Sequence, residues 1–245
     1  MIIGSKKIFI EKLASTNSHA AMLLRNGNVM EGTVIHAGFQ TAGRGQGANS
    51  WESEPGKNLL FSIIIYPFKV KADSQFSISR MISLGVKDFL GHIVKEVHIK
   101  WPNDIYVRND KIAGILIENA IMRSEIVHTI AGIGININQV RFAEGAMNAT
   151  SLKILTGKEH RMEDCLDEIL RSIDYRYSQL SSGKRSQIES DYISSLYRFE
   201  QWSEFRDSRG IFEGKIIAVT GTGRLQIEDR ESRIFEFDQK EVDFL

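Results

Sequence analysis

Two cations in this chain stand beside small residues, and both are suited to handling an anion. Arg44 lies within Gln40-Thr41-Ala42-Gly43-Arg44-Gly45-Gln46-Gly47-Ala48-Asn49-Ser50-Trp51. Closely spaced glycines let backbone N–H groups approach an anion, and a guanidinium pairs with a carboxylate or phosphate. Trp51 offers a face to a flat ring. Lys111 opens Lys111-Ile112-Ala113-Gly114-Ile115-Leu116-Ile117-Glu118, where Ala113 and Gly114 let a ligand or a backbone come close. Between them, Lys100-Trp101-Pro102-Asn103-Asp104 ends a strand, and Pro102 stiffens the exit so that Asn103 and Asp104 leave from a fixed turn. Gly132-Ile133-Gly134-Ile135-Asn136-Ile137-Asn138 leaves space in an apolar strand, where Asn136 needs a partner. Each stretch also has a plainer reading. The glycine run serves as a flexible loop, Trp51 as core, Asn103-Asp104 as a self-capped turn, Lys111 as a solvated strand end, and Asn136 as a turn residue.

The elements that must position these residues follow from periodicity. A short strand at residues 8–10 precedes Ser15-Thr16-Asn17, which offers an N-cap to a helix ending near Asn26-Gly27 with Ala20, Ala21, Leu23 and Leu24 inward. Residues 33–37 read as a strand and 59–66 as a buried one. Residues 38–57, rich in Gly, Ser, Asn and Gln, form a loop too long to be idle in a compact domain. Residues 74–94 read as a helix with Ile78, Met81, Ile82, Phe89 and Ile93 on one stripe. Short β runs follow at 97–100, 105–107, 112–118 and 126–137. Residues 161–180 form an amphipathic helix and 186–196 a second one. From Arg198 onward, short strands at 210–212, 215–219, 225–228 and 234–237 with glycine turns suggest a small barrel.

Bulk properties exclude several functions. Lys plus Arg equals Asp plus Glu at 31 each, and the last 48 residues carry 8 basic against 11 acidic side chains. No basic field draws nucleic acid or an anionic membrane. Cys165 is the single cysteine, which fits a reducing compartment and a helix-core position. Neither a signal peptide nor an apolar run of membrane-spanning length is present, so a cytoplasmic location is expected. None of the six histidines falls in these stretches.

In this order the stretches resemble the biotin–protein ligase family. Ser15-Thr16-Asn17 is similar to its S-T-N, and Gln40–Trp51 to its Q-x-A-G-R-G-R loop ending in Trp. Lys100–Asp104 matches K-W-P-N-D, Lys111–Gly114 matches K-[IL]-A-G, and Gly132–Asn136 matches G-[IV]-G-[IL]-N. The second arginine of the loop is replaced by Gln46. The resemblance implies an α+β fold: a mixed β-sheet with flanking helices over residues 1–196, and a small SH3-like β-barrel over 197–245. It implies a stand-alone form, because only fourteen residues precede Ser15, too few for a helix-turn-helix module.

The same resemblance implies ATP-dependent formation of biotinyl-5'-AMP, then transfer of biotin to a lysine of a biotin carboxyl carrier domain. Catalysis would rest on Lys111 and Arg44. Biotin would be held by Ser15, Thr16, Asn17, Gln40, Gly43, Arg44, Gly45, Gln46, Lys111 and Gly114. ATP would meet Arg44, Trp51, Asn103, Asp104, Lys111 and Asn136, and the Mg²⁺ that accompanies it would meet Asp104. Nucleic acid and membrane are not expected partners, and a homodimer is left as an option. The alternatives are a lipoate–protein ligase and a biotin-binding regulatory protein without ligase activity.

Overall fold

The computed structural model describes residues 1–67, 70–143 and 148–245. Its main layer is a seven-stranded mixed sheet ordered β1-β2-β3-β7-β6-β5-β4. The strands are β1 (Lys6–Leu13), β2 (Thr33–Gln40), β3 (Asn58–Ile65), β4 (Val97–Lys100), β5 (Asp104–Val107), β6 (Asp110–Met122) and β7 (Glu125–Asn136). Only β1 and β2 run parallel, and every other pair is antiparallel. All eight residues of β3 are buried, which explains its unbroken apolar run: the strand is central and covered on both faces.

Helix α1 (Thr16–Asn26) covers one face, packing Ala20 against Ile35, Ile64 and Ile130. Helices α2 (Phe76–Gly91) and α4 (Met162–Ser181) cover the other. The core of α2 includes Ile78, Met81, Ile82 and Phe89, each fully buried, as its spacing predicts. Cys165 is buried on α4, where burial pushes its thiol up to about 11. Helix α5 (Arg185–Ser194) packs on α2.

Several boundaries differ from the sequence reading. β1 extends three residues further at the C-terminal end and two at the N-terminal end, because an edge strand carries charges that hide its alternation. A short helix α3 (Leu152–Thr156) was not expected. Ser151 caps it by accepting from the Ile154 N–H at 3.2 Å, and Gly157 ends it at φ 70°.

The C-terminal unit is a five-stranded antiparallel sheet ordered β11-β10-β9-β8-β12. Its strands are β8 (Trp202–Asp207), β9 (Gly210–Val219), β10 (Leu225–Asp229), β11 (Ile234–Phe237) and β12 (Asp243–Phe244). The runs at 210–212 and 215–219 are one strand, and β8 and β12 are additional. Fully buried Phe205 of β8 packs between Phe212 of β9 and Phe244 of β12. The unit shares the hydrophobic core of the main body, and two buried polar side chains add to the joint. Buried Arg80 of α2 donates to the carbonyls of Val219 at 2.6 Å and Thr220 at 3.0 Å, and the Trp101 indole donates to the Gly223 carbonyl at 2.8 Å.

Candidate functional site

Antiparallel register places Ser62, Gly132 and Leu116 side by side on β3, β7 and β6, and Gly114 opposite both Gly134 and Asp104. Side chains alternate along a strand, so Asp104, Gly114, Leu116, Glu118, Gly132 and Gly134 share the sheet face that α1 also covers. The glycines make a trough there. A Cβ on Gly134 would stand 2.5 Å from the Trp51 ring, and one on Gly114 would stand 2.9 Å from it. The Trp51 indole therefore lies flat on the backbone of β6 and β7. Its Nε1 is buried without a hydrogen-bond partner.

Loop residues 43–51 do not run free. Arg44 and Ser50 form a β-bridge, Gly45 N–H donates to Asn49 O at 2.8 Å, and Trp51 N–H donates to Gly43 O at 3.0 Å. The flexibility expected from composition is thus replaced by a small hairpin whose end lays Trp51 over the trough. The carboxamide of Gln46, at the hairpin tip, donates to Gln239 Oε1 in the C-terminal unit.

At one end of the trough, neutral hydrogen-bonding groups converge. Thr16 donates from its N–H at 2.7 Å and from its hydroxyl at 3.0 Å to Gln40 Oε1. Ser62 Oγ lies 2.7 Å from Thr16 Oγ1 and donates to Asn17 Oδ1 at 2.5 Å. Asn17 fits only because residue 132 is glycine; a Cβ there would stand 2.1 Å from Asn17 Oδ1. Ser15 occupies the N-cap position with extended backbone but makes no side-chain cap bond, so its hydroxyl is available to a ligand.

At the other end, charge is gathered. Lys111 Nζ lies 2.7 Å from Asp104 Oδ1 and 5.7 Å from the Trp51 ring centroid. A register shift between Ile105 and Tyr106 lies between these partners, which is how a bulge re-aims a side chain. Asn103 uses its Nδ2 to brace the Ile115 carbonyl at 2.7 Å. Arg44 is not at that end: its Nη2 lies 2.5 Å from Glu118 Oε1, and Glu118 Oε2 accepts from Asn17 Nδ2 at 2.7 Å at the neutral end.

One cavity takes in Ser15, Thr16, Asn17, Gln40, Arg44, Gly45, Gln46, Trp51, Asn103, Asp104, Lys111 and Gly114, and its free volume is about 100 Å³. Gly43 and Asn136 are not on its wall. Gly43 lies behind, where a Cβ would strike the Trp51 carbonyl oxygen at 2.2 Å. Asn136 is buried on β7, opposite Asn58 of β3. Sequence reasoning missed Ser62 and Glu118. Ser62 was detectable as the one hydroxyl inside the apolar run of β3, and Glu118 by two-residue alternation from Gly114 through Leu116.

Fold and site together define a class: a mixed-sheet protein with a small cavity on one sheet face, neutral at one end and charged at the other. Residues 9–136 match the model of the biotin/lipoate A/B protein ligase family. That is just over half of the chain, and the chain belongs to this family. It is 29% identical over 236 residues to a bifunctional ligase/repressor BirA of Bacillus subtilis, covering 94% of this chain and 71% of that one. It is 28% identical over 214 residues to a biotin–[acetyl-CoA-carboxylase] ligase of Paracoccus denitrificans, covering 82% and 88%. Among solved structures it resembles a biotin protein ligase of Aquifex aeolicus in complex with biotin and ATP, with a TM-score of 0.80, 26% identity and 98% of each chain covered. No helix among the described residues is long and apolar enough to cross a membrane.

Proposed function

We propose that this chain forms biotinyl-5'-AMP from biotin and ATP, and passes the biotinyl group to a lysine of a biotin carboxyl carrier domain. The observation that carries the reading is the polarity of the trough: neutral donors and acceptors at one end, Lys111 with Asp104 at the other, a glycine floor under Trp51 between them, and Arg44 on the hairpin that covers the cavity. Biotin has the same layout, with an uncharged ureido head, an apolar ring and chain, and a carboxylate. Residues 1–196 act as the catalytic domain and 197–245 as the SH3-like domain.

Ser15, Thr16 and Gln40 hold the ureido group. The carbonyl oxygen of Gln40 is engaged by Thr16, which leaves its Nε2 for the ligand. Asn17 fixes the wall of that end through Ser62, and Gly43, Gly45, Gln46 and Gly114 close the loop and floor around the chain. Both reactants are anions, so charge must be neutralised before they meet. The biotin carboxylate attacks the α-phosphorus, pyrophosphate leaves, and Lys111 and Arg44 offset the charge that develops on the phosphoryl oxygens. The acceptor lysine then attacks the acyl carbon of the mixed anhydride, and AMP leaves.

Asn103, Asp104 and Trp51 serve the ATP side, with Trp51 offering a ring face to adenine, while Asn136 stands off the cavity wall and supports β7 behind it. Among the described residues no group of three or more His, Cys, Asp or Glu could cage a metal, and the Asp104 carboxylate is bonded to Lys111. A single carboxylate fits Mg²⁺ that arrives on the nucleotide, since this ion is usually held by one or two carboxylates together with substrate phosphates. Such an ion neutralises phosphate charge.

The free volume of about 100 Å³ is well below the roughly 300 Å³ at which small-molecule sites begin. Ligand entry therefore displaces the Trp51 hairpin, which then recloses and keeps water from the anhydride. Incubation with biotin, ATP and a purified carrier domain, followed by intact-mass analysis, tests the reading. One biotinyl group on one lysine is expected. An unmodified carrier, with the ligase folded, contradicts it.

A further inference from the structure

We infer that Glu118 is a positioning residue that tethers the Arg44 hairpin over the pocket and sets how long the adenylate is held. Its two carboxylate oxygens serve two different elements. Oε1 takes the Arg44 guanidinium at 2.5 Å, and Oε2 accepts from Asn17 Nδ2 at 2.7 Å. Asn17 in turn is seated over Gly132 and accepts from Ser62. The hairpin is thus joined to the start of α1 and the centre of the sheet through one side chain on β6. Arg44 uses only one nitrogen on Glu118, and the rest of its fork remains for an anion in the cavity that it lines. Glu118 itself is not on that cavity wall, so it acts through Arg44 rather than on the ligand. Charge-assisted pairs of this kind order a loop more firmly than neutral bonds do. The Arg44 and Glu118 side chains remain 46% and 34% exposed, so salt weakens the tether.

The retention part of this inference rests on the proposed ligase reading; the tether itself does not. Arg44 is the only Lys or Arg between Arg25 and Lys57, so trypsin reports directly on the hairpin. Cleavage after Arg44, followed by intact mass on the full chain without ligand, should be about two- to fivefold faster in Glu118→Gln than in wild type. Cleavage of wild type should accelerate between low and high salt relative to cleavage at other sites. The salt arm needs no variant and stands if Glu118→Gln fails to fold. Equal cleavage in wild type and a folded Glu118→Gln, or salt-independent relative cleavage, overturns the tether.

For retention, release of biotinyl-AMP should be about two- to fivefold faster in Glu118→Gln. The biotin KM should rise more than kcat falls, and no further change should follow when Arg44→Gln is already present. An equal effect of Glu118→Gln in both backgrounds overturns the action through Arg44. If wild type forms no adenylate, the ligase reading fails while the trypsin result still decides the tether.

Discussion

Lys111 and Gly134 carry the account at the scale of single residues, one by charge and one by having no side chain. Lys111 sits between Asp104 and the Trp51 ring, where it can reach an anion lying on the trough. Lys111→Ala leaves the charge on the phosphoryl oxygens uncompensated. The expected loss is about 2–4 kcal/mol of transition-state stabilisation, the range found for removal of a single oxyanion donor. Biotin-dependent adenylate formation at saturating substrates measures it, and near-normal rates would remove Lys111 from its assigned role. Gly134 has ordinary strand backbone, so alanine there brings no backbone strain. Its Cβ would, however, meet the Trp51 ring at 2.5 Å. Gly134→Ala should retain the fold and lift Trp51 from the floor, with an overpacking cost of about 1–3 kcal/mol and a raised KM for biotin. An unchanged melting temperature together with an unchanged KM would show that the floor under Trp51 does not matter.

At the scale of elements, the hairpin at residues 43–51 departs most from what its composition suggests. Three glycines and small polar residues read as a flexible loop, yet the Arg44–Ser50 bridge and the Trp51–Gly43 hydrogen bond fold it into a defined turn. Those pairings are set by Trp51 docking on glycines about sixty and eighty residues away, which no local pattern contains. Gln46 stands at the tip, bonded to Gln239. A neutral bond of that type is roughly half as strong as a charge-assisted one. Gln46→Arg should therefore slow the release of biotinyl-AMP in the absence of acceptor, by about three- to tenfold. Equal or faster release would show that position 46 does not control the latch.

The same contrast explains which elements were legible in the sequence. α2 and α4 were legible because their burial follows a 3.6-residue repeat. β3 was legible because double burial makes a continuous apolar run. β8 was not, since Trp-Ser-Glu-Phe-Arg-Asp has only Phe205 fully buried. Ser15, Thr16, Gln40, Arg44, Asp104 and Lys111 were legible as site residues through their motifs, and they do share one cavity. Ser62 and Glu118 carry only a weak signal, a lone hydroxyl in an apolar strand and a two-residue alternation, and sheet register rather than sequence proximity brings them to Asn17.

At the scale of the molecule, the C-terminal unit is fastened beside the site and not merely appended. Trp101, next to the Pro102-Asn103-Asp104 turn, donates to Gly223, while Arg80 reaches from α2 to Val219 and Thr220. Arg80 is buried and packs against the Phe76 and Tyr192 rings. Arg80→Leu keeps most of the volume but leaves two carbonyls without their donor. That should cost about 2–3 kcal/mol of stability, read as a lower urea midpoint. A midpoint equal to wild type would show that the two units are coupled by other contacts.

The central claim concerns which carboxylate the trough activates, and it is tested most directly by pyrophosphate exchange into ATP with biotin or lipoate as the acid. On the proposed reading, Ser15, Thr16 and Gln40 at the neutral end receive a ureido group, which lipoate lacks, and unpaired polar groups are costly to bury. Exchange should depend on biotin, with lipoate supporting little or none at the same concentration. Exchange driven equally well by lipoate, or absent with biotin, would contradict the account.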